Sequence, residues 1–162
     1  MLNLSLTAQQ TITSQAEAEY PNECVGLLLG QIDGEVKSAL VAYPVENRWE
    51  GQVVLAETDK PQSRRDRFYL DPRDYLKADR AARAQGLDII GCYHSHPDWP
   101  AEPSERDRVG AQGIGGGSSF AFVIQSVRNG TAAEIKSWLL VKDTGAVREP
   151  PVGFVQEDVV IA

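Results

Sequence analysis

The sequence is poor in cysteine and histidine, with two of each among its 162 residues. Cys24 and Cys92 both lie inside apolar runs, and nothing resembles a Cys-x-x-Cys pair. Two isolated cysteines do not make a disulfide framework, so we predict two buried free thiols in a reducing, cytoplasmic setting. The N-terminal residues also lack a basic stretch followed by a long apolar run, so we expect no secretory signal peptide.

Positive charge and long hydrophobic runs are scarce as well. The 16 lysines and arginines are outnumbered by 23 aspartates and glutamates, which gives a net charge of -7. An acidic surface repels phosphate backbones, so we expect no nucleic-acid partner. No stretch is long and apolar enough to cross a bilayer, so we expect no membrane partner either.

What remains is the composition of an ordinary folded domain, with 42% hydrophobic and 24% charged residues. A chain of this length can bury a core without covalent staples. We find no repeat and no linker, so we predict a single domain over residues 1–162. The oligomeric state is left open by the sequence.

Caps and breakers predict the longer helices. Thr7, with a glutamine three residues on, has the spacing of a capping box, and Pro21 ends the helix that it begins. Asp71 followed by Pro72 begins a second helix, for which Gly86 is a natural stop.

Apolar runs bounded by turn residues predict the strands. These runs lie at residues 24–30, 36–45, 68–70, 87–93, 120–127, 134–142 and 154–161. Asp33-Gly34 and Asn129-Gly130 predict hairpin turns. The polar segment 46–67 predicts a long loop, a length that compact domains use for lids or binding loops. Because strands, hairpins and helices are interspersed, the sequence predicts an α/β or α+β fold around one sheet.

The two histidines are two residues apart, at the end of a predicted strand. Alternate residues of a strand point the same way, so His94 and His96 share one side. A catalytic zinc takes three nitrogen, sulfur or carboxylate ligands from the protein. Asp107 is the best third ligand, because it lies one turn into a short helix predicted over 104–111. The alternative is that both histidines are solvated and that the aspartate only favours the dipole at the helix N-terminus. This alternative is weaker because one short segment supplies all three groups.

This segment resembles a known motif. His94-Ser-His-Pro97, followed by Pro103-Ser-Glu-Arg-Asp107, resembles the JAMM motif of MPN-type zinc metallopeptidases in their compact prokaryotic form. Glu23 fits the glutamate that the motif has upstream, and the order of elements also matches. The resemblance implies a single mixed, largely antiparallel twisted sheet flanked by helices, similar to that of cytidine deaminases.

The resemblance also implies a role for each motif residue. His94, His96 and Asp107 would bind one Zn²⁺ per chain, with a water at the fourth position. Glu23 would accept the proton of that water and pass it to the leaving amine. Ser104 would donate a hydrogen bond to the oxyanion of the tetrahedral intermediate. The plain alternatives are an ordinary exposed carboxylate for Glu23 and a helix cap alone for Ser104.

A zinc peptidase that trims a ubiquitin-like, sulfur-carrier protein next to its diglycine end suits this short chain. The alternatives are a deubiquitinase-like isopeptidase and a non-catalytic MPN scaffold, although scaffolds lack the metal ligands. A zinc deaminase needs H-x-E and P-C-x-x-C, and the sequence has neither. Trp49 and Trp99 either line a substrate groove or pack in the fold.

Overall fold

The computed structural model describes residues 1–50, 64–111, 113–145 and 148–162. Within these ranges the elements are β1 (Leu2–Leu4), α1 (Leu6–Glu19), β2 (Val25–Asp33), β3 (Val36–Val45), α2 (Pro72–Ala84), β4 (Asp88–Pro97), α3 (Glu105–Ala111), β5 (Ala121–Arg128), β6 (Thr131–Lys142), β7 (Val152–Glu157) and β8 (Val159–Ile161). None of these helices is both long enough and apolar enough to span a membrane.

The strands form one mixed sheet in the order β7-β6-β5-β4-β2-β3-β1-β8. Four neighbouring pairs are antiparallel and three are parallel. The predicted class, a mixed sheet flanked by helices, is confirmed. Strands β7 and β8 lie at opposite ends of this order, yet only Asp158 separates them along the chain. The sheet therefore curls until its two edges lie side by side.

The single strand predicted over 154–161 is wrong, because the chain breaks at Asp158 and forms β7 and β8. β8 pairs in parallel with β1, a three-residue strand that the sequence analysis missed. Leu2 and Leu4 of β1 are both buried. An apolar run does not indicate which edge of the sheet its first and second halves join. The break at Asp158 could therefore not be predicted from the pattern.

The first helix begins earlier than predicted, because Ser5 rather than Thr7 is its N-cap. The Ser5 hydroxyl accepts the Ala8 N–H at 3.0 Å and donates to the Leu40 carbonyl at 3.0 Å. The strand before the helix ends at Leu4, so Ser5 is the first residue after the strand whose side chain can cap a helix. The helix ends at Glu19, ahead of the proline, as predicted.

The predicted start of α2 is confirmed, since Asp71 accepts the Arg73 N–H at 2.8 Å and Gly86 has a φ of +71°. The strand predicted over 68–70 is wrong, because the Tyr69 N–H donates to a side-chain amide instead of to a neighbouring strand. Most of the predicted loop, residues 51–63, lies outside the described residues, so its role as a lid stays a prediction. Its described ends contain no helix or strand.

The central strands are buried on both faces, as strands covered by helices must be. Leu28 packs on the side of α1, and its neighbour Leu27 packs on the side of α2 and α3. Cys24 and Cys92 are buried and free, as predicted. The sheet is thus the buried central layer of the fold, and β4 lies at the middle of it.

Candidate metal centre

Strand β4 carries both histidines on one side of the sheet. The strand continues through His94 and His96 to Pro97, beyond the predicted end at 93, and pairs in parallel with β5 along this length. The two Nε2 atoms are 3.0 Å apart, and both side chains are buried. Phe68 stacks on the His94 ring with 4.3 Å between centroids. The alternation predicted from the sequence is therefore present, and neither imidazole is solvated.

The short helix α3 brings Asp107 to the histidines. Its carboxylate lies 3.2 Å from His94 Nε2 and 3.0 Å from His96 Nε2. The Ser104 N–H donates to Asp107 Oδ2 at 2.9 Å, and the Asp107 N–H donates to the Ser104 hydroxyl at 3.2 Å. This reciprocal capping box fixes the carboxylate. Asp107 thus fulfils both interpretations at once, as a helix-capping residue and as a candidate ligand.

Glu23 lies just before β2, and its side chain reaches the same site. Its Oε1 is 4.0 Å from His96 Nε2, and its Oε2 is buried without a hydrogen-bond partner among the described residues. The Ser95 hydroxyl accepts the Cys24 N–H at 2.8 Å, and the Ser95 N–H donates to the Cys24 carbonyl at 3.1 Å. These bonds tie the Glu23 segment to the strand that carries the histidines.

Two carboxylates therefore compete for the third position beside the histidines. Glu23, His94 and His96 offer one atom each within 4.8 Å of one another, a cluster that could hold a metal ion. Asp107 lies closer, because each of its two oxygens is within hydrogen-bond distance of an imidazole nitrogen. Asp107 is thus the carboxylate nearer to both imidazoles, and Glu23 is the one that completes the cluster with His94 and His96.

The hydrogen-bond partners of His96 indicate that a proton or a metal ion lies between its Nε2 atom and Asp107. His96 Nδ1 is 2.8 Å from the Pro100 carbonyl, which can only accept, so Nδ1 carries the proton. In neutral His96 the Nε2 atom then presents a lone pair to Asp107 Oδ2, a second acceptor 3.0 Å away. Two acceptors at this distance repel each other unless a proton or a metal ion lies between them. Imidazole nitrogen and carboxylate oxygen are donors that zinc binds, so the residues fit the metal.

The electrostatics separate the two carboxyl groups. Burial alone would raise the pKa of Asp107, but His94 and His96 outweigh it and hold that pKa well below its usual range. Burial, with the nearby charges of Asp107 and Asp66, raises the pKa of Glu23 well above its ordinary value. Burial lowers the pKa of His94, whereas contact with Asp107 overcomes burial and raises that of His96. The charged form is therefore favoured for Asp107 and the neutral form for Glu23.

Asn47, which the sequence analysis missed, holds the backbone around Glu23. Its Nδ2 donates to the Glu23 carbonyl at 3.0 Å and to the Arg67 carbonyl at 2.9 Å. Its Oδ1 accepts the N–H groups of Trp49 and Tyr69, both at 3.1 Å. Both donors and both acceptor positions of the amide are used. A lone asparagine in a polar stretch carries no pattern that could have predicted this role.

Two cavities open at the site. Glu23, His96 and Ser104 line a cavity of about 380 Å³, and Asp107 lines a second of about 240 Å³. Trp49 and Trp99 differ, since Trp49 is buried at 2% exposure and Trp99 is 69% exposed in the larger cavity. Trp49 therefore packs in the fold, whereas Trp99 lines a cavity beside the histidines, and its contact with a substrate stays a prediction.

Comparison with known proteins now identifies the family. The sequence matches the profile described as prokaryotic homologs of the JAB domain over residues 6–141. The chain belongs to this family. The resemblance to JAMM/MPN proteins, drawn from the motif, is thereby confirmed.

Individual relatives agree with this assignment. The chain is 32% identical to the desampylase of Haloferax volcanii over 111 residues, which is 66% of this chain and 70% of that protein. It is 48% identical to a probable TtuB-protein conjugate cleaving protease of Thermus thermophilus over 40 residues, 25% of this chain and 27% of the relative. A solution structure from Desulfitobacterium hafniense is 28% identical with a TM-score of 0.74, covering 100% of this chain and 93% of that one.

Proposed function

We propose that this protein is a cytoplasmic zinc peptidase that cleaves the bond after the diglycine end of a ubiquitin-like, sulfur-carrier protein. The observation that carries the proposal is the convergence of His94, His96 and Asp107 beside an unpartnered oxygen of Glu23. Two relatives support the substrate class, since one is named a desampylase and the other is named for cleaving TtuB–protein conjugates.

His94, His96 and Asp107 would hold one zinc ion, which when bound would act as a Lewis acid and lower the pKa of a water molecule. The Pro100 carbonyl fixes the tautomer of His96 that presents Nε2 to the metal. The Ser104 N–H fixes the orientation of the Asp107 carboxylate. Both ligands are therefore preorganised by hydrogen bonds to the backbone.

Glu23 and Ser104 perform the proton transfer and charge stabilisation in this proposal. Glu23 accepts a proton from the attacking water and delivers it to the leaving amine, so that one water is consumed and an acid and an amine are released. The Ser104 hydroxyl accepts the Asp107 N–H, which leaves its own proton free to donate to the oxyanion. Both side chains line the larger cavity, where a substrate has access.

A non-catalytic scaffold is the second candidate, and the state of Glu23 argues against it. Glu23 Oε2 has no partner among the described residues, which costs about 1–3 kcal/mol, and a catalytic role would account for that cost. A deubiquitinase-like isopeptidase would use the same groups, and differs only in the protein that supplies the diglycine end.

Metal analysis and cleavage assays of four proteins test the proposal. We expect about one zinc per chain in the wild type purified without chelator, and loss of zinc in His96→Ala and Asp107→Asn. Glu23→Gln should keep its zinc but cleave a diglycine-linked conjugate at least about 100-fold more slowly, as measured by mass spectrometry. Loss of zinc in Glu23→Gln would assign the third ligand to Glu23 instead. A wild type without metal would support the scaffold.

A further inference from the structure

Trp99 is the most exposed large apolar side chain in the described part of the chain, at 69%. It lies in the larger cavity together with Glu23, His96 and Ser104. Tryptophan is buried to a large extent in most folds, and an exposed aromatic beside a site is a common feature of contact surfaces. Packing against the described residues does not account for its position.

The backbone that carries Trp99 is held firmly. The Ser126 hydroxyl donates to the Trp99 carbonyl at 2.5 Å, and Pro100 accepts a hydrogen bond from His96 at 2.8 Å. Asp98, on the other side, accepts hydrogen bonds from a tyrosine hydroxyl at 2.6 Å and from a backbone N–H at 2.8 Å. The indole is therefore exposed on a fixed support, which lowers the entropy cost of a contact with substrate.

The residues that line the two cavities indicate which of them holds the scissile bond, if the proposed function holds. Glu23 must reach the leaving amine in order to protonate it, and Glu23 lines the cavity of Trp99. Among the described residues, Asp107 lines the smaller cavity and Glu23 does not. The cavity of Trp99 therefore holds both groups that act at the scissile bond, Ser104 at the carbonyl and Glu23 at the amine, and it continues from the amine side toward Trp99.

The chemistry of the cavity wall indicates which group lies on the amine side. Pro97, Pro100 and Pro103 line the cavity beside Trp99, and proline has no N–H to offer a peptide main chain. The other lining side chains are polar or charged, so the prolines and the indole form the apolar part of the wall. An aliphatic chain needs no such donor and packs well against prolines and an indole. A lysine acylated at Nε presents four uncharged methylene groups at this point. We propose that Trp99 is a specificity-determining residue that contacts this lysine stem and favours isopeptide conjugates over linear fusions.

Paired substrates test this inference. Both contain the same diglycine-ended carrier and the same peptide, joined at a lysine Nε in one and at the α-amine in the other. We expect Trp99→Ala to lower kcat/KM on the isopeptide substrate about 10-fold, mainly through KM, and on the linear substrate less than about 2-fold. Leu76→Ala, at a 50% exposed position on α2 that lines neither cavity, should change neither value.

A binding measurement gives a readout that does not depend on turnover. Zinc-loaded Glu23→Gln is titrated with the isopeptide substrate, and quenching of tryptophan fluorescence by acrylamide is followed. We expect the substrate to protect the exposed Trp99, because Trp49 is already buried and Trp138 is half-buried in β6. The protection should disappear in the double variant that also carries Trp99→Ala.

The outcomes separate this inference from the proposed function. Equal losses on both substrates, no loss on either, or an absence of protection would overturn the role of Trp99 while cleavage by the wild type upholds the function. A zinc-loaded wild type that cleaves neither substrate would overturn both.

Discussion

Glu23 is held by its backbone, while one oxygen of its side chain has no hydrogen-bond partner in the part of the chain that the structure describes. Its N–H donates to the Arg64 carbonyl at 2.7 Å, and its carbonyl accepts from Asn47 at 3.0 Å. Its Oε2 atom makes no hydrogen bond to any described residue. The segment is thus fixed in space, and the carboxyl group stays available for proton transfer.

Asn47→Asp tests whether this backbone support matters for catalysis. The isosteric aspartate keeps acceptors for Trp49 and Tyr69 but cannot donate to the carbonyls of Glu23 and Arg67. We expect kcat for conjugate cleavage to fall about 10-fold or more, because a misplaced general base loses rate steeply. KM and zinc content should change little, since the side chain of Asn47 bonds to the backbone at Glu23, Trp49, Arg67 and Tyr69 and not to the candidate ligands.

Steady-state kinetics and elemental analysis of the purified variant measure both quantities. Because unfolding would also lower kcat, the fraction of folded protein is checked by its denaturation curve. Retention of full kcat in a folded Asn47→Asp protein would show that the amide supports the fold alone.

At the scale of elements, the features that could be predicted from the sequence are those that depend only on residues close together in the chain. The alternation of His94 and His96 and the turn at Asn129-Gly130, where both residues have positive φ, are local properties. Strand β1 and the break at Asp158 depend on which distant strand each segment meets. The four bonds of Asn47 reach up to 24 residues along the chain, beyond the range of any cap or turn rule. The site was therefore more predictable than the edges of the sheet.

The start of α1 gives a direct test of the difference between sequence pattern and structure. Ser5→Ala removes the bond to the Ala8 N–H and the bond to the Leu40 carbonyl, so we expect a loss of about 1–2 kcal/mol of unfolding free energy. Thr7→Ala, which alters the residue predicted from the capping-box spacing, should change it by less than about 0.5 kcal/mol. Urea denaturation of both variants in the same metal state measures the two values. The reverse order would restore Thr7 as the cap.

At the scale of the whole molecule, the curled sheet brings together a buried ion pair from distant parts of the chain. Lys37 Nζ, in β3, lies 2.9 Å from Glu157 Oε1, at the end of β7, and the side chains are 2% and 4% exposed. The same ammonium donates to the Ser118 carbonyl at 2.9 Å, and Ser137 donates to Glu157 Oε2 at 2.9 Å. The amino group of Met1 is 3.3 Å from Glu157 Oε1. These contacts join strands from both halves of the sheet.

Lys37→Met tests how far this pair supports the curl. The substitution leaves the Glu157 carboxylate buried without its main cation, so we expect a loss of about 3 kcal/mol of unfolding free energy. Adding Glu157→Gln should recover part of that loss, because the orphaned charge is removed, and the double-mutant cycle gives the coupling energy. Arg83→Ala, which breaks the exposed pair with Asp79, should cost less than about 0.5 kcal/mol.

Chemical denaturation at fixed zinc content measures these values, and zinc content should be unchanged because the candidate ligands lie on β4 and α3. A Lys37→Met loss as small as that of Arg83→Ala would mean that strand pairing alone, through β1 and β8, holds the edges of the sheet together. A large loss that the second substitution relieves would mean instead that closure depends on neutralising one buried carboxylate. The curl would then have an electrostatic requirement that the strand order alone does not reveal.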